Sequence, residues 1–564
     1  MLLDPNHLDG SNLDERSREL LRKTVEFFES RGKQRLKQDD RDRVWYAEFL
    51  EFVRKERVFA TVCTPAGEGA ADCRWDTWRN CQLAEVLAFY GLHHWYTWQV
   101  SVLGLGPIWM SDNEAVRKRT AQLLEEGGIF AFGLSERAHG ADVYSTEMQL
   151  VPTGDGSYVA RGEKYYIGNG NQAALVSVFG KNAETGDYVF FVVDSQNEHF
   201  RCIKNVVNVQ SYVSNFALDD YPIEEADILA TGRDAWDAAL NTVNLGKFNL
   251  GWASIGICTH ALYEAVHHAG HRQLYGQAVT DFPHVKQLFT DAYARLVAMK
   301  LVAQRASDYM RSASPEDRRY LLYNPVVKMK VTTQGEDVIN HLWDVIAAKG
   351  FEADTYFEMA ARDIRALPKL EGTVHVNIAL IVKFMMNYFF EPAEHPEIPR
   401  RDDAANDDFL FQQGPTKGLS HIRFHDYQPI FESSTLPNVA IFREQVAAFR
   451  EMLQEATPGE SQANDIDFLM AVGELFALVV YAQLLLEAVA IDAVDEGLVD
   501  QIFDVFVRDF SRHATTLHGK PTTTPAQAEY CVRMLQRPQP DAERFQQVWD
   551  EHVFAQRDVY EMRP

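Results

Sequence analysis

At 564 residues, with 46% hydrophobic and 12% aromatic content, the chain exceeds what one compact core accommodates, and three or four domains of ordinary size are expected. A net charge of −26 is the wrong sign for phosphate backbones and anionic bilayers, which need clustered lysine and arginine, so neither a nucleic-acid partner nor membrane association is expected. The six cysteines (Cys63, Cys73, Cys81, Cys202, Cys258, Cys531) show neither CxxC spacing nor disulfide density, and the opening MLLDPNHLDGSNLDERSREL has no basic region followed by an apolar core; a cytoplasmic, reducing location is the expectation.

Residues 1–128 read as an N-terminal helical domain, because runs such as DERSRELLRKTVEFFESRG and AVRKRTAQLLEEGG carry apolar residues at three- and four-residue spacing. Over 129–232 the period becomes two. The strings SYVARGEKYYIGNG, ALVSVFGK and YVFFVVD, separated by TGDGS and ETGDY turns, predict a compact antiparallel barrel or sandwich. The helical period returns over 233–390 in four long segments, which predicts an antiparallel four-helix bundle. A linker over 391–438, rich in acids and carrying Pro392, Pro396, Pro399 and Pro415, leads to a further helical domain over 439–564. Its run FLMAVGELFALVVYAQLLLEAVAI is interrupted by Glu474, Gln483 and Glu487 and reads as a buried helix, not a membrane span. The fold class is therefore mainly α with a central β domain.

His260, His267 and His271 fall on one helix face at spacings of seven and four. No carboxylate or cysteine cluster lies beside them in sequence, so packing at a subunit contact is expected and no metal. Glu371, in LEGTVHVN (residues 370–377), precedes a glycine and a threonine. A glutamate on a helix face is ordinarily just solvated, but Gly372 permits a close backbone approach.

Four strings in order resemble those of the acyl-CoA dehydrogenase family: FAFGLSERAHGAD at 130–142, GEKYYIGNG at 162–170, HRQLYG at 271–276, and GFEADTYFEMAARDIRALPKLEGT ending at Thr373. The resemblance covers roughly residues 15–385. It implies bound FAD, since no side chain accepts a hydride reversibly, and an acyl-CoA or acyl carrier protein thioester as substrate. Electron-transfer flavoprotein or another acceptor would take the electrons. By the same resemblance Glu371 is the base for the α proton; the alternative base position of some members matches Gly246, which cannot serve. Cofactor contacts carry over to Leu134 and Ser135 at the pyrimidine edge, Ala141, Tyr166 along the ring, Gly168 near flavin N5, Arg272 to the pyrophosphate, Asp344, Ala348 and Thr373. Substrate contacts carry over to Asn244, Lys247 and Gly372. Several positions depart from the family pattern: Gly168 replaces a hydroxyl residue, Ala141 a serine, Asp344 a glutamine, and Ala347-Ala348 a glycine pair.

The extra helical domain resembles that of the very-long-chain branch, implying a long or bulky acyl chain and a homodimer, because the added domain can cover the surface on which a second dimer would dock. Two rival readings keep the same scaffold: an oxidase or monooxygenase, prompted by Gly168 and Tyr166, and a non-enzymatic scaffold protein without cofactor, prompted by Ala347-Ala348. Plainer readings remain for single residues. Tyr165 and Tyr166 could pack across strands, and Arg272 could neutralise a helix C-terminus.

Overall fold

The computed structural model describes residues 1–8, 12–154 and 156–564. Its contacts divide the chain into two units: residues 9–249 with 402–417 and 563–564, and residues 250–401 and 418–562 with 1–8.

In the first unit, helix Glu15–Arg41 starts where Asp14 accepts the Ser17 amide, and it buries Leu20, Leu21, Val25, Phe28 and Leu36 at helical spacing. Helices Thr77–Tyr90 and Leu92–Met110 are buried on nearly all sides, so they carry no one-sided stripe. The β domain comprises β1 (Ile129–Gly133), β2 (Gln149–Pro152), β3 (Tyr158–Gly168), β4 (Ala173–Asn182), β5 (Tyr188–Val193), β6 (Phe200–Asn205), β7 (Val213–Ile223) and β8 (Ile228–Thr231). They form one sheet in the order β6-β7-β3-β2-β4-β5-β8, with β1 against β4. Most pairs are antiparallel, as expected, but β1 and β2 both run parallel to β4. Alternation along the strands turns Ala131, Leu150, Ile167, Val176, Phe191 and Phe216 into one core.

Part of the proline-rich stretch is anchored within this unit. The Asp407 amide donates to the Trp75 carbonyl at 2.7 Å and its carboxylate accepts the Thr77 amide at 2.8 Å. Asp408 accepts the Ala66 amide at 2.9 Å.

The second unit is helical. Asn249–His271 and Pro283–Arg311 are followed by a continuous rod made of Tyr320–Val326, a π-helical turn at Val327–Val331, and Thr332–Ile346. Val374–Ile381 and Met385–Phe390 complete this set, and Pro437–Glu455, Ile466–Asp492, Glu496–His518 and Pro525–Met534 form the second set. Ile466–Asp492 is long and apolar enough to cross a membrane by length and composition, yet most of its apolar stretch is buried. It packs against Pro283–Arg311, Val374–Ile381 and Glu496–His518. The three polar residues that interrupt its sequence each find a partner. Glu487 accepts Arg305 Nε at 2.8 Å, Gln483 accepts the Tyr388 hydroxyl, and Glu474 lies 3.5 Å from Lys330 Nζ. Burial of a charge without such pairing would cost several kcal/mol, which explains why these interruptions sit opposite complementary groups.

Candidate functional site

Glu371 stands in a tight turn between two helical segments of the second unit. Its φ is +51° and that of Gly372 is +89°, both in the left-handed region. Glycine adopts that region freely, whereas a glutamate there costs of order 1 kcal/mol and must be held by its surroundings. The holding groups are Lys328 and Asn377. Lys328, fully buried on the π-helical turn, donates from Nζ to the Pro368 carbonyl at 2.9 Å and to the Gly372 carbonyl at 2.6 Å. Asn377 Nδ2 donates to the same Gly372 carbonyl at 3.1 Å and to the Thr373 carbonyl at 2.9 Å. Thr373 caps helix Val374–Ile381 by accepting the Val376 amide at 3.4 Å, so its own O–H remains able to donate. Glu371 itself is half-buried.

A second group of predicted residues meets at the ends of β1 and β3. Pairing of β3 with β7 runs Tyr165 to Asn215 and then Ile167 to Ser214, so Tyr166 is the extra residue of a β-bulge. Its φ of +68° and 44% exposure follow from that bulge, which turns the ring out of the ladder. The Tyr165 amide donates to the Ser135 carbonyl at 2.9 Å, which draws the half-buried segment 134–135 beside β3. Buried Lys164 reinforces the junction. Its Nζ donates to the Leu134 carbonyl at 3.0 Å and to Glu136 Oε1 at 2.8 Å. Burial pulls the Lys164 ammonium down to about 8, although Glu136 opposes the shift. Burial raises the Glu136 carboxyl, but Lys164, Thr146 and the Glu147 amide outweigh it and hold the group below its ordinary range.

An exposed ring beside a polar loop suits a flat heteroaromatic ligand, so these residues fit a flavin. One detail differs from what the resemblance implies: the Leu134 amide already donates to the Phe132 carbonyl at 3.0 Å.

Gly168 lies at the end of the same strand. A Cβ placed there would come 2.8 Å from Tyr96 Cε1 and Val100 Cγ1 and 3.0 Å from the Tyr96 hydroxyl. The phenol of Tyr96 thus occupies the space where a residue-168 side chain would lie. Asn169, at φ +61°, is fully buried and donates to the carbonyls of Thr97 and Phe130, both at 3.0 Å. That ties the strand end to helix Leu92–Met110.

The remaining predicted residues are dispersed. Ala141, Asp344 and Ala348 are exposed. Ala347, beside Ala348, has φ +54° and ψ −135°, a conformation suited to glycine, so the chain keeps the backbone path of a glycine pair without the glycines. Arg272 opens an exposed hairpin, Gln273–Leu274 against Gln277–Ala278, whose tip residue Tyr275 is 96% exposed. In the first unit Lys247 is buried and Asn244 half-buried. The neighbouring Gly246 carbonyl accepts Gln99 Nε2 at 3.0 Å.

Sequence reasoning missed Lys328, Asn377, Lys164 and Tyr96. Lys164 had a local signal, since it falls in step with Tyr158, Ala160 and Gly162 on the inward face of an alternating strand whose other face carries Arg161 and Glu163. Lys328 and Tyr96 had none, because their partners are distant in the chain.

A helical domain, a small β domain and a set of long helices together make the acyl-CoA dehydrogenase fold. A solved acyl-CoA dehydrogenase from Bacillus anthracis complexed with FAD superposes with a TM-score of 0.75 at 15% identity, over 99% of this chain and 98% of that one. Residues 234–386 match the family described as acyl-CoA dehydrogenase, C-terminal domain. The 3-(aryl)acrylate reductase of Clostridium sporogenes is 22% identical over 292 residues, 51% of this chain and 76% of its own length. The mitochondrial very long-chain specific acyl-CoA dehydrogenase of Mus musculus is 24% identical over 315 residues, 52% of this chain and 47% of its own, so the match spans about half of that relative. Residues 234–386 thus carry the likeness to the family in sequence, and the fold is that of the solved acyl-CoA dehydrogenase.

Proposed function

We propose that the protein is an FAD-dependent acyl-thioester dehydrogenase in which Glu371 removes the α proton. The observation that carries this reading is the 371–373 turn: Glu371 sits in a left-handed backbone whose next carbonyl, Gly372, is held by two independent donors, which suits a preorganised base better than a solvated helix glutamate. The α C–H bond breaks toward Glu371, the β hydrogen leaves with its electron pair, and a double bond joins the two carbons. A bound flavin would supply the hydride acceptor that no side chain provides. Tyr166 and the 134–135 segment would orient the ring, and Arg272, on its exposed hairpin, would pair with the cofactor pyrophosphate of a second chain in a homodimer.

A second reading, electron transfer to oxygen on the same scaffold, is favoured by one feature: Tyr96 stands where a side chain at residue 168 would approach the ring. Peroxide formation during turnover distinguishes it.

The test begins with a visible spectrum of the purified protein and anaerobic bleaching by a panel of acyl thioesters. Glu371→Gln should keep the flavin bound while the bleaching rate falls on the order of a hundredfold or more. A normal rate in that variant removes Glu371 as the base.

A further inference from the structure

Helix Asn249–His271 ends with two histidines one turn apart, His267 and His271, whose ring centroids lie 4.3 Å apart. The C-terminal segment returns to this helix end and brings Asp558 and Glu561 against them. One ligating atom from each of His267, His271 and Asp558 lies within 4.8 Å of the others.

The ring nitrogens have defined roles. His271 Nδ1 is 2.8 Å from the His267 carbonyl, and His267 Nδ1 is 3.2 Å from the Arg557 carbonyl. A carbonyl only accepts, so each Nδ1 carries a proton, and in a neutral ring Nε2 is then a bare lone pair. Each ring lies against carboxylates, and His267 also approaches Asp558 Oδ1 through Nδ1 at 3.8 Å. His271 Nε2 is 3.7 Å from Asp558 Oδ1, and His267 Nε2 is 3.6 Å from Glu561 Oε2. Those separations are too long for hydrogen bonds. They approach the edge of about 3.4 Å of a tetrahedron whose metal–ligand legs are about 2.1 Å. Lone pairs directed at carboxylates repel unless a cation lies between them.

The surroundings complete the pattern found at metal centres, where a histidine ligand anchors its other nitrogen on a carbonyl and a carboxylate ligand is itself hydrogen-bonded. Arg557 donates to Asp558 Oδ2 from Nε at 2.8 Å, which turns Oδ1 toward the rings. Gly270 makes room for that arginine, since a Cβ there would lie 2.3 Å from Arg557 Cδ. His260, the third histidine on the same helix face, takes no part: it stacks on Tyr356 with centroids 3.5 Å apart.

We propose that His267, His271 and Asp558 bind one divalent cation of the zinc class, with Glu561 beside His267 Nε2. Two imidazoles and a carboxylate suit a borderline metal better than a hard one. The ion would clamp the C-terminal segment to the helix end that leads into the Arg272 hairpin, a structural role independent of the proposed catalysis.

The probe is zinc ion alone, titrated into chelator-treated full-length protein by calorimetry, with cobalt(II) absorption as a second readout. One ion per chain should bind with a dissociation constant in the low micromolar range or tighter, and the melting temperature should rise. The double variant His267→Gln/His271→Gln should lose the binding, Asp558→Asn should weaken it at least about tenfold, and His518→Gln, at an exposed histidine elsewhere, should leave it unchanged. All these side chains are at least partly exposed, so the variants are expected to fold, and unchanged circular dichroism checks this. The alternative occupant is a proton, giving imidazolium–carboxylate pairs. In that case zinc changes neither the calorimetric signal nor the melting temperature. That outcome, or zinc binding that survives the double variant, overturns the proposal.

Discussion

Replacing Lys328 with methionine tests whether a buried ammonium positions the proposed base. Methionine keeps the length and most of the volume of the side chain, so the change removes the ammonium and with it the hydrogen bonds at 2.9 Å to the Pro368 carbonyl and 2.6 Å to the Gly372 carbonyl. Each charge-assisted bond is worth about 1.5–3 kcal/mol, and an acceptor left without a donor costs about 1–3 kcal/mol. The two carbonyls fare differently. Gly372 keeps the donation from Asn377 at 3.1 Å, whereas Pro368 loses the ammonium. Removing the buried charge also relieves its desolvation. The net loss is then about 2–3 kcal/mol, which is about a 30- to 150-fold rise in local opening of the turn. Hydrogen exchange reads this directly at the Asn377 amide, which donates to the Thr373 carbonyl at 3.1 Å, and anaerobic bleaching should slow in parallel with normal flavin content. Asn377→Ala, a milder probe, should shift exchange in the same direction by about 1 kcal/mol. If Lys328→Met leaves both the exchange and the bleaching rate unchanged, the turn is not what positions Glu371.

Three further outcomes are expected. Ala347→Gly should stabilise the protein by about 1 kcal/mol, because φ +54° with ψ −135° strains alanine and not glycine; a lower melting temperature would contradict this. Gly168→Thr should destabilise by about 1–3 kcal/mol through the 2.8 Å approach to Tyr96 and Val100, and adding Tyr96→Ala should recover part of the loss; no recovery would mean that Tyr96 does not fill that space. Burial pushes the Glu487 carboxyl up, but His425 and Arg305 outweigh it and bring it from 4.5 down to about 2. A depressed folded-state pKa gives stability that is fully present above 4.5 and is lost as pH falls toward 2. Acid denaturation followed by circular dichroism should therefore be shallower in that window for Glu487→Gln, and parallel curves would refute the assignment.

Periodicity alone determined the succession of helical, β and helical segments, because a 3.6- or 2-residue repeat is a local property that survives any packing. The burial of Ile466–Asp492 was equally legible, since Glu474, Gln483 and Glu487 are intolerable in lipid without partners. Glu371, Gly372 and Thr373 could be singled out from their order, as could the flexible-backbone demand at Gly372. What holds them could not. Lys328 reaches Gly372 across 44 positions, and a hydrogen bond of that kind is created by the packing of two helices, not by any local pattern. Tyr166 shows the same limit in a strand, where alternation predicts a face but not the bulge that turns the ring outward. The three histidines at helical spacing show it most clearly. Their common face was evident from sequence, but tertiary structure decided that His260 stacks on Tyr356 while Asp558 and Glu561, brought back by the chain end, face the other two, because spacing along a helix sets which side chains share a face and only the fold sets what that face meets.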